Sequence, residues 1–129
     1  MPVDLNHTII AARDKHASAR WLADLLGLQV SPPYGPFVPV ETSNGVALDF
    51  MDADPQRIVP QHYAFLVSED EFDAIFARLQ QAGITHYADP GFTRAEQINR
   101  NDGGRGTYFA DPDGHAMEII TVPYGGAPR

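Results

Sequence analysis

Apolar and polar positions alternate in two similar series along this chain. Leu5-Asn6-His7-Thr8-Ile9-Ile10 is rich in β-branched residues and predicts a strand. Between Asp14 and Gly27, Ser18, Trp21, Leu22, Leu25 and Leu26 recur at helical spacing, and Gly27 is a suitable stop. Ser31-Pro32-Pro33-Tyr34-Gly35-Pro36 is too rich in proline for regular structure. Two short strands are expected next, Phe37 to Glu41 and Val46 to Met51, joined by a turn at Ser43-Asn44-Gly45. A proline-containing link from Asp54 to Pro60 leads to a second histidine-opened strand, Gln61 to Val67. Ser68-x-x-Glu71 is a capping box for a second helix. Phe72, Ile75, Phe76 and Leu79 form its apolar stripe, and Gly83 closes it. A strand is expected at Thr85 to Ala88, then a polar loop from about Asp89 to Arg105. The last hairpin joins Thr107-Tyr108-Phe109 to Ala116–Val122 through Asp111-Pro112-Asp113-Gly114, and the tail Pro123 to Arg129 reads as frayed.

These series are a repeat. His7 and His62 lie 55 positions apart, and Gly27 and Gly83 lie 56 apart. Gly45-Val46-Ala47-Leu48-Asp49-Phe50 matches Gly114-His115-Ala116-Met117-Glu118-Ile119 at an offset of 69, so the Asp89–Arg105 loop absorbs about 13 to 14 extra residues. Each half reads as strand, helix, strand, strand, strand. Module one covers about 1–54 and module two about 61–122, within one domain spanning 1–129.

Composition narrows the function classes. The formal net charge is −8, which repels nucleic acid and anionic membrane surfaces. Cysteine is absent, so disulfides and thiolate chemistry are excluded. No apolar run approaches a membrane span, and Met1-Pro2-Val3-Asp4 lacks a signal-peptide pattern. The expectation is a cytoplasmic protein with a small-molecule substrate, no nucleic acid and no membrane.

The chemistry enters with Glu118. A carboxylate among Met117, Ile119 and Ile120 costs several kcal/mol unless it is paired, metal-bound or turned to water. The repeat weighs against simple alternation, because Asp49 stands at the equivalent place. Each half supplies one histidine near its first strand and one carboxylate in its last. Two histidines and a carboxylate with open positions make a facial set for a divalent metal.

This pattern resembles the vicinal oxygen chelate superfamily: glyoxalases, extradiol dioxygenases, fosfomycin-resistance thiol transferases and bleomycin-resistance binding proteins. The resemblance is carried by "LNHTII" (5–10), "QHYAFLV" (61–67) and "GRGTYFADPDGHAMEII" (104–120). The stretch 62–84 looks most like the thiol transferases. The resemblance implies an α+β fold of two βαβββ modules. Their sheets would curl into a half-open mixed β barrel with helices outside, usually in a homodimer. It also implies one divalent metal (Fe, Mn, Ni or Zn) on His7, His62 and Glu118, with Tyr108 as the neighbouring tyrosine. Asp49 aligns with a glutamate ligand of the glyoxalase branch but is one methylene shorter. It stands as a ligand, a base or a group orienting a ligating histidine.

Tyr108 is a candidate acid/base group or a packed aromatic. Arg105 is a candidate clamp for an anionic substrate, whereas Arg94 and Arg100 read as solvated. His16, His86 and His115 read as surface residues, and Trp21 as helix core. The expected activity is metal-assisted chemistry on a substrate with two neighbouring oxygens: lyase or isomerase, thiol transfer with a thiol co-substrate, or ring cleavage. The alternative is a metal-free drug- or metabolite-binding protein of the bleomycin-resistance type.

Overall fold

The structure is a computed structural model that describes residues 2–126. Its strands are β1 (His7–Ala12), β2 (Phe37–Glu41), β3 (Ala47–Asp52), β4 (His62–Leu66), β5 (Gly106–Ala110) and β6 (Ala116–Ile120), with helices α1 (Lys15–Leu26) and α2 (Glu69–Gln81). Two compact units meet in the sequence between Val59 and Pro60, in the proline-containing link. Pro55–Arg57 of that link form a single 3-10 turn.

Each unit is a three-stranded mixed sheet with one helix, so the fold is α+β. The sheet orders are β1-β3-β2 and β4-β6-β5. The first and last strands of each unit run parallel, which demands a crossover, and the helix supplies it. The helix ends are where local chemistry puts them. Asp14 caps α1 by accepting from the Ala17 amide at 3.1 Å, and Gly27 ends it with φ 73°. Ser68 caps α2 by accepting from the Glu71 amide at 3.1 Å. Gly83 (φ 67°) then lets the Ile84 amide return to the Leu79 carbonyl at 3.0 Å.

The expected strand Thr85–Ala88 is only a bridge. Tyr87 exchanges two 2.8 Å backbone hydrogen bonds with Tyr108, and the following residues turn away into the loop. Its counterpart in the first unit is the Val30–Val40 bridge, extended by the Ser31 amide donating to the Pro39 carbonyl at 2.8 Å before the Pro-rich segment turns back through the Tyr34–Phe37 bridge. In each unit the fourth strand of the βαβββ plan is thus reduced to a bridge at the sheet edge.

The registers of the two units coincide. His7 lies opposite Ala47 and Ile9 opposite Asp49; His62 lies opposite Ala116 and Ala64 opposite Glu118. Asp49 faces Pro39 across β2, and Glu118 faces Tyr108 across β5. Strand alternation then divides each sheet. In the second unit one face carries Phe109, Met117 and Ile119, all fully buried, and the other carries His62, Tyr108 and Glu118. In the first, Ile10, Val38, Val40, Leu48 and Phe50 are buried, as are Ala19, Leu22, Leu25 and Leu26 of α1. Each large buried side chain contributes roughly 1.5–3 kcal/mol. The apolar stripe of α2 is buried at Phe72, Ile75 and Leu79, whereas Trp21 is only half-buried.

His86 and His115, expected at the surface, are buried at 3 % and 1 % exposure. His86 takes its place from the loop: Nδ1 lies 3.1 Å from Thr107 Oγ1 and Nε2 lies 3.3 Å from Glu96 Oε2, with Phe76 edge-on at 4.8 Å. His115 Nδ1 accepts from the Gln61 amide at 3.0 Å, locking the start of β4 to the hairpin turn. Asp111 holds that turn by accepting from the Asp113 and His115 amides, and burial raises its pKa. These histidines had no counterpart in the repeat, and side-chain and backbone partners rather than solvent satisfy them. His16 is exposed, as expected.

Candidate active site

Glu118 is 1 % exposed, so solvent does not explain its place in β6. Its carboxylate is held from two sides. His62 Nε2 lies 3.0 Å from Oε1, and the Tyr124 hydroxyl lies 2.8 Å from Oε1 and 2.6 Å from Oε2. The register makes the first contact: His62 and Glu118 share a face, one pleat apart on adjacent strands. The His62 ring also stacks on Tyr108 at a centroid distance of 6.0 Å and an angle of 29°.

The tautomer of His62 carries the chemical information. Its Nδ1 lies 3.1 Å from the Ala116 carbonyl oxygen, which can only accept, so Nδ1 bears the proton. In the neutral ring Nε2 is then a lone pair aimed at a carboxylate oxygen. Two acceptors 3.0 Å apart repel each other unless a proton or a metal cation stands at that spot. An imidazole nitrogen and a carboxylate oxygen so placed are a donor pair that would suit a divalent ion. His7 follows the same logic in the first unit. Its Nδ1 lies 2.7 Å from Asn6 Oδ1, which leaves Nε2 as the free donor atom, and the ring is exposed.

Among the described residues, no three His, Asp or Glu side chains of one chain gather into a group able to hold a metal ion. His62 and Glu118 come together. His7 is presented on its own strand, and Asp49 sits half-buried at the position equivalent to Glu118.

Tyr108 is nearly buried, 5 % exposed, and its hydroxyl lies 3.1 Å from that of Tyr124. Burial, and then hydrogen bonding to Tyr124 and Glu118, pushes its pKa far above the ordinary phenol value. Burial and the Glu118 hydrogen bond raise Tyr124 as well. Both phenols therefore stay protonated and act as donors.

Arg105 points elsewhere. Its guanidinium pairs with Glu69 at 2.7 Å and Asp73 at 2.8 Å on α2, and lies over the Phe72 ring at 4.4 Å. These contacts fasten the β5 end of the sheet to α2, and holding an anion would mean breaking them. The Asp89–Arg105 loop is itself well tied. Asp89 accepts from Thr93 and Arg94, and Asn99 pairs through its backbone with Gly106 at 2.9 and 3.0 Å.

Tyr124 is the residue that sequence reasoning missed. The expected frayed tail is instead a turn at Pro123–Gly126, closed by a 2.9 Å bond from the Gly126 amide to the Pro123 carbonyl; residues 127–129 lie outside the described residues. The Pro-Tyr-Gly-Gly composition, six residues past Glu118, was the available signal for a turn that could return a side chain to the site.

Residues 4–119 match the model of the Glyoxalase/Bleomycin resistance protein/Dioxygenase superfamily. The chain belongs to that superfamily. Among solved structures, "Oxidase ChaP-H2" shares 63 % identity, covers 99 % of this chain and 100 % of its own, and superposes with a TM-score of 0.96. "Glutathione transferase FosA" of Serratia marcescens is 32 % identical over 120 residues, 89 % of this chain and 78 % of FosA. "Metallothiol transferase FosB" of Shouchella clausii is 42 % identical over 60 residues, 46 % of this chain and 37 % of FosB. With relatives of transferase and oxidase type, this superfamily member is an enzyme. Among the described residues, no helix is long and apolar enough to cross a membrane.

Proposed function

We propose that the protein is a metal-dependent oxidase of this superfamily, acting on a small, largely apolar substrate that offers two neighbouring oxygens. The observation that carries the metal is His62 Nε2 facing Glu118 Oε1 at 3.0 Å while Nδ1 is committed to the Ala116 carbonyl. The choice of oxidase over transferase rests on 63 % identity to an oxidase across the whole chain, against 32 % to a glutathione transferase. Arg105 supports the same choice, because its pairs with Glu69 and Asp73 leave its fork committed rather than open to an anionic substrate.

In this reading His7, His62 and Glu118 hold one divalent ion. His7 comes from a second copy of the chain, so the working unit is a homodimer. Support comes from the exposure of both His7 and His62. When bound, the ion would polarise both substrate oxygens and, if redox-active, bring dioxygen into reach of the substrate. His62 and Glu118 then act as fixed donors, oriented by the Ala116 carbonyl and the Tyr124 hydroxyl. Ala64 and Leu66 share the exposed β4 face with His62 and offer an apolar floor. Tyr108 supplies a protonated phenol beside the site as a hydrogen-bond donor or acid. Asp49 carries no step in the oxidase reading; it would serve as base only in lyase chemistry.

The second reading is thiol transfer to a small electrophile, favoured by the match to FosA over 89 % of the chain. A matrix of substrates and metals separates them. Fe(II)-loaded protein should consume dioxygen with a catechol-type substrate. Turnover of an epoxide with thiol and Mn(II), without dioxygen uptake, would overturn the oxidase assignment. Failure to bind Fe, Mn, Ni or Zn would leave the metal-free binding protein. Mixing the inactive variants His7→Ala and Glu118→Ala tests the shared site, because a mixed dimer regains one intact ligand set only if the ligands come from different chains.

A further inference from the structure

We propose that Tyr124 is a positioning residue for Glu118, carried to the site by the Pro123–Gly126 turn; this rests on Glu118 being a metal ligand. The tyrosine has one proton and two carboxylate oxygens in reach, Oε2 at 2.6 Å and Oε1 at 2.8 Å. The shorter contact takes the proton. Oε2 is thereby occupied, and Oε1 keeps a lone pair directed to the side where His62 Nε2 stands. The hydroxyl thus holds the carboxylate from the side away from His62, which would fix its plane and leave Oε1 turned toward an ion held with His62.

The neighbouring phenol fits the same scheme. With its proton spent on Glu118, Tyr124 can only accept from Tyr108, 3.1 Å away. The donor chain runs Tyr108 to Tyr124 to Glu118, so one hydroxyl sets the orientation of the other as well as that of the ligand.

The arm that delivers Tyr124 is built for this return. Gly125 and Gly126 adopt φ of 85° and 75°, which favours glycine, and their turn closes on the Pro123 carbonyl. Upstream, Thr121 and Val122 pass so close to Gly104 that a Cβ there would lie 2.6 Å from Thr121 Oγ1. The Arg105 amide donates to that same Oγ1 at 2.8 Å. The base of the arm is therefore pinned while its tip holds the ligand. The first unit has no such arm: six residues beyond Asp49 stands Pro55, at the start of the 3-10 turn in the link.

The test is calorimetric titration of the metal-free full chain with Mn(II), together with the visible spectrum of the Co(II) form. Tyr124→Phe keeps the ring and removes the hydroxyl. It should weaken Mn(II) binding about tenfold and alter the Co(II) spectrum. Tyr34→Phe, at an exposed position in the other unit, should change neither. A chain ending at Pro123 should show the same loss and stands in if the point variant does not fold. Tyr124→Phe binding Mn(II) as tightly as wild type, or more tightly, while Glu118→Ala binds none, would overturn the positioning role and leave the ligand assignment intact. Wild type that binds no Mn(II), or Glu118→Ala with wild-type affinity, would overturn the ligand assignment and the inference with it.

Discussion

The two units share one register and differ in what they do with it. In both, a histidine opens the first strand, and the last strand carries an acid opposite the residue two positions further on. In the second unit the acid is Glu118: buried, bonded to His62, faced by Tyr108 and held by Tyr124. In the first it is Asp49: half-buried, one methylene shorter and faced by Pro39, which brings no hydroxyl. A duplicated backbone therefore fixes where ligands can stand, while the facing strand and the segment after β6 decide which of them is supported.

That contrast can be broken most directly at the acids. Glu118→Ala should abolish measurable Mn(II) binding, whereas Asp49→Ala should leave it within about tenfold of wild type. Equal losses by calorimetry would mean that both halves ligate alike. The cores are compared next. Phe109 and Val40 occupy equivalent positions, and both are fully buried. Phe109→Ala should cost about 3–5 kcal/mol in urea unfolding and Val40→Ala about 2 kcal/mol.

A smaller effect is expected at Tyr108. Tyr108→Phe should lower turnover about a hundredfold at unchanged metal affinity, and a parallel loss of affinity would make it part of the ligand scaffold instead. The smallest effect concerns the strap between α2 and the second sheet. The Thr121 hydroxyl first, and Arg105 second, hold the Glu69 pKa below its ordinary value of 4.5. A lowered folded-state value means stabilisation that is present above the unfolded value and lost as pH falls through the folded one. Glu69→Gln should therefore melt slightly below wild type at pH 7. The gap should close under acid, and a gap that persists there would show that charge is not its source.

Much of the molecule is legible in the residue order. Asp14, Gly27, Ser68 and Gly83 mark both helices to within a residue or so, because caps act through neighbouring backbone groups. The repeat placed His62 and Glu118 together for a similar reason: a shared strand register follows from a shared pattern. The strand at Thr85–Ala88 failed because its pairing depends on a loop whose path propensity does not encode. His86 and His115 were misplaced because their partners, Thr107, Glu96 and the Gln61 amide, are near in space and distant in sequence.

By itself, then, the sequence determined the duplicated strand–helix–hairpin plan, its caps and the pairing of one imidazole with one carboxylate, since all of these arise from local periodicity and its repetition. Only the tertiary structure decided that Arg105 belongs to α2, that His62 spends Nδ1 on a carbonyl, and that Tyr124 returns to hold Glu118. Each of those choices is a competition among hydrogen-bond partners, and its winner is set by where folding brings donors and acceptors, not by their order along the chain.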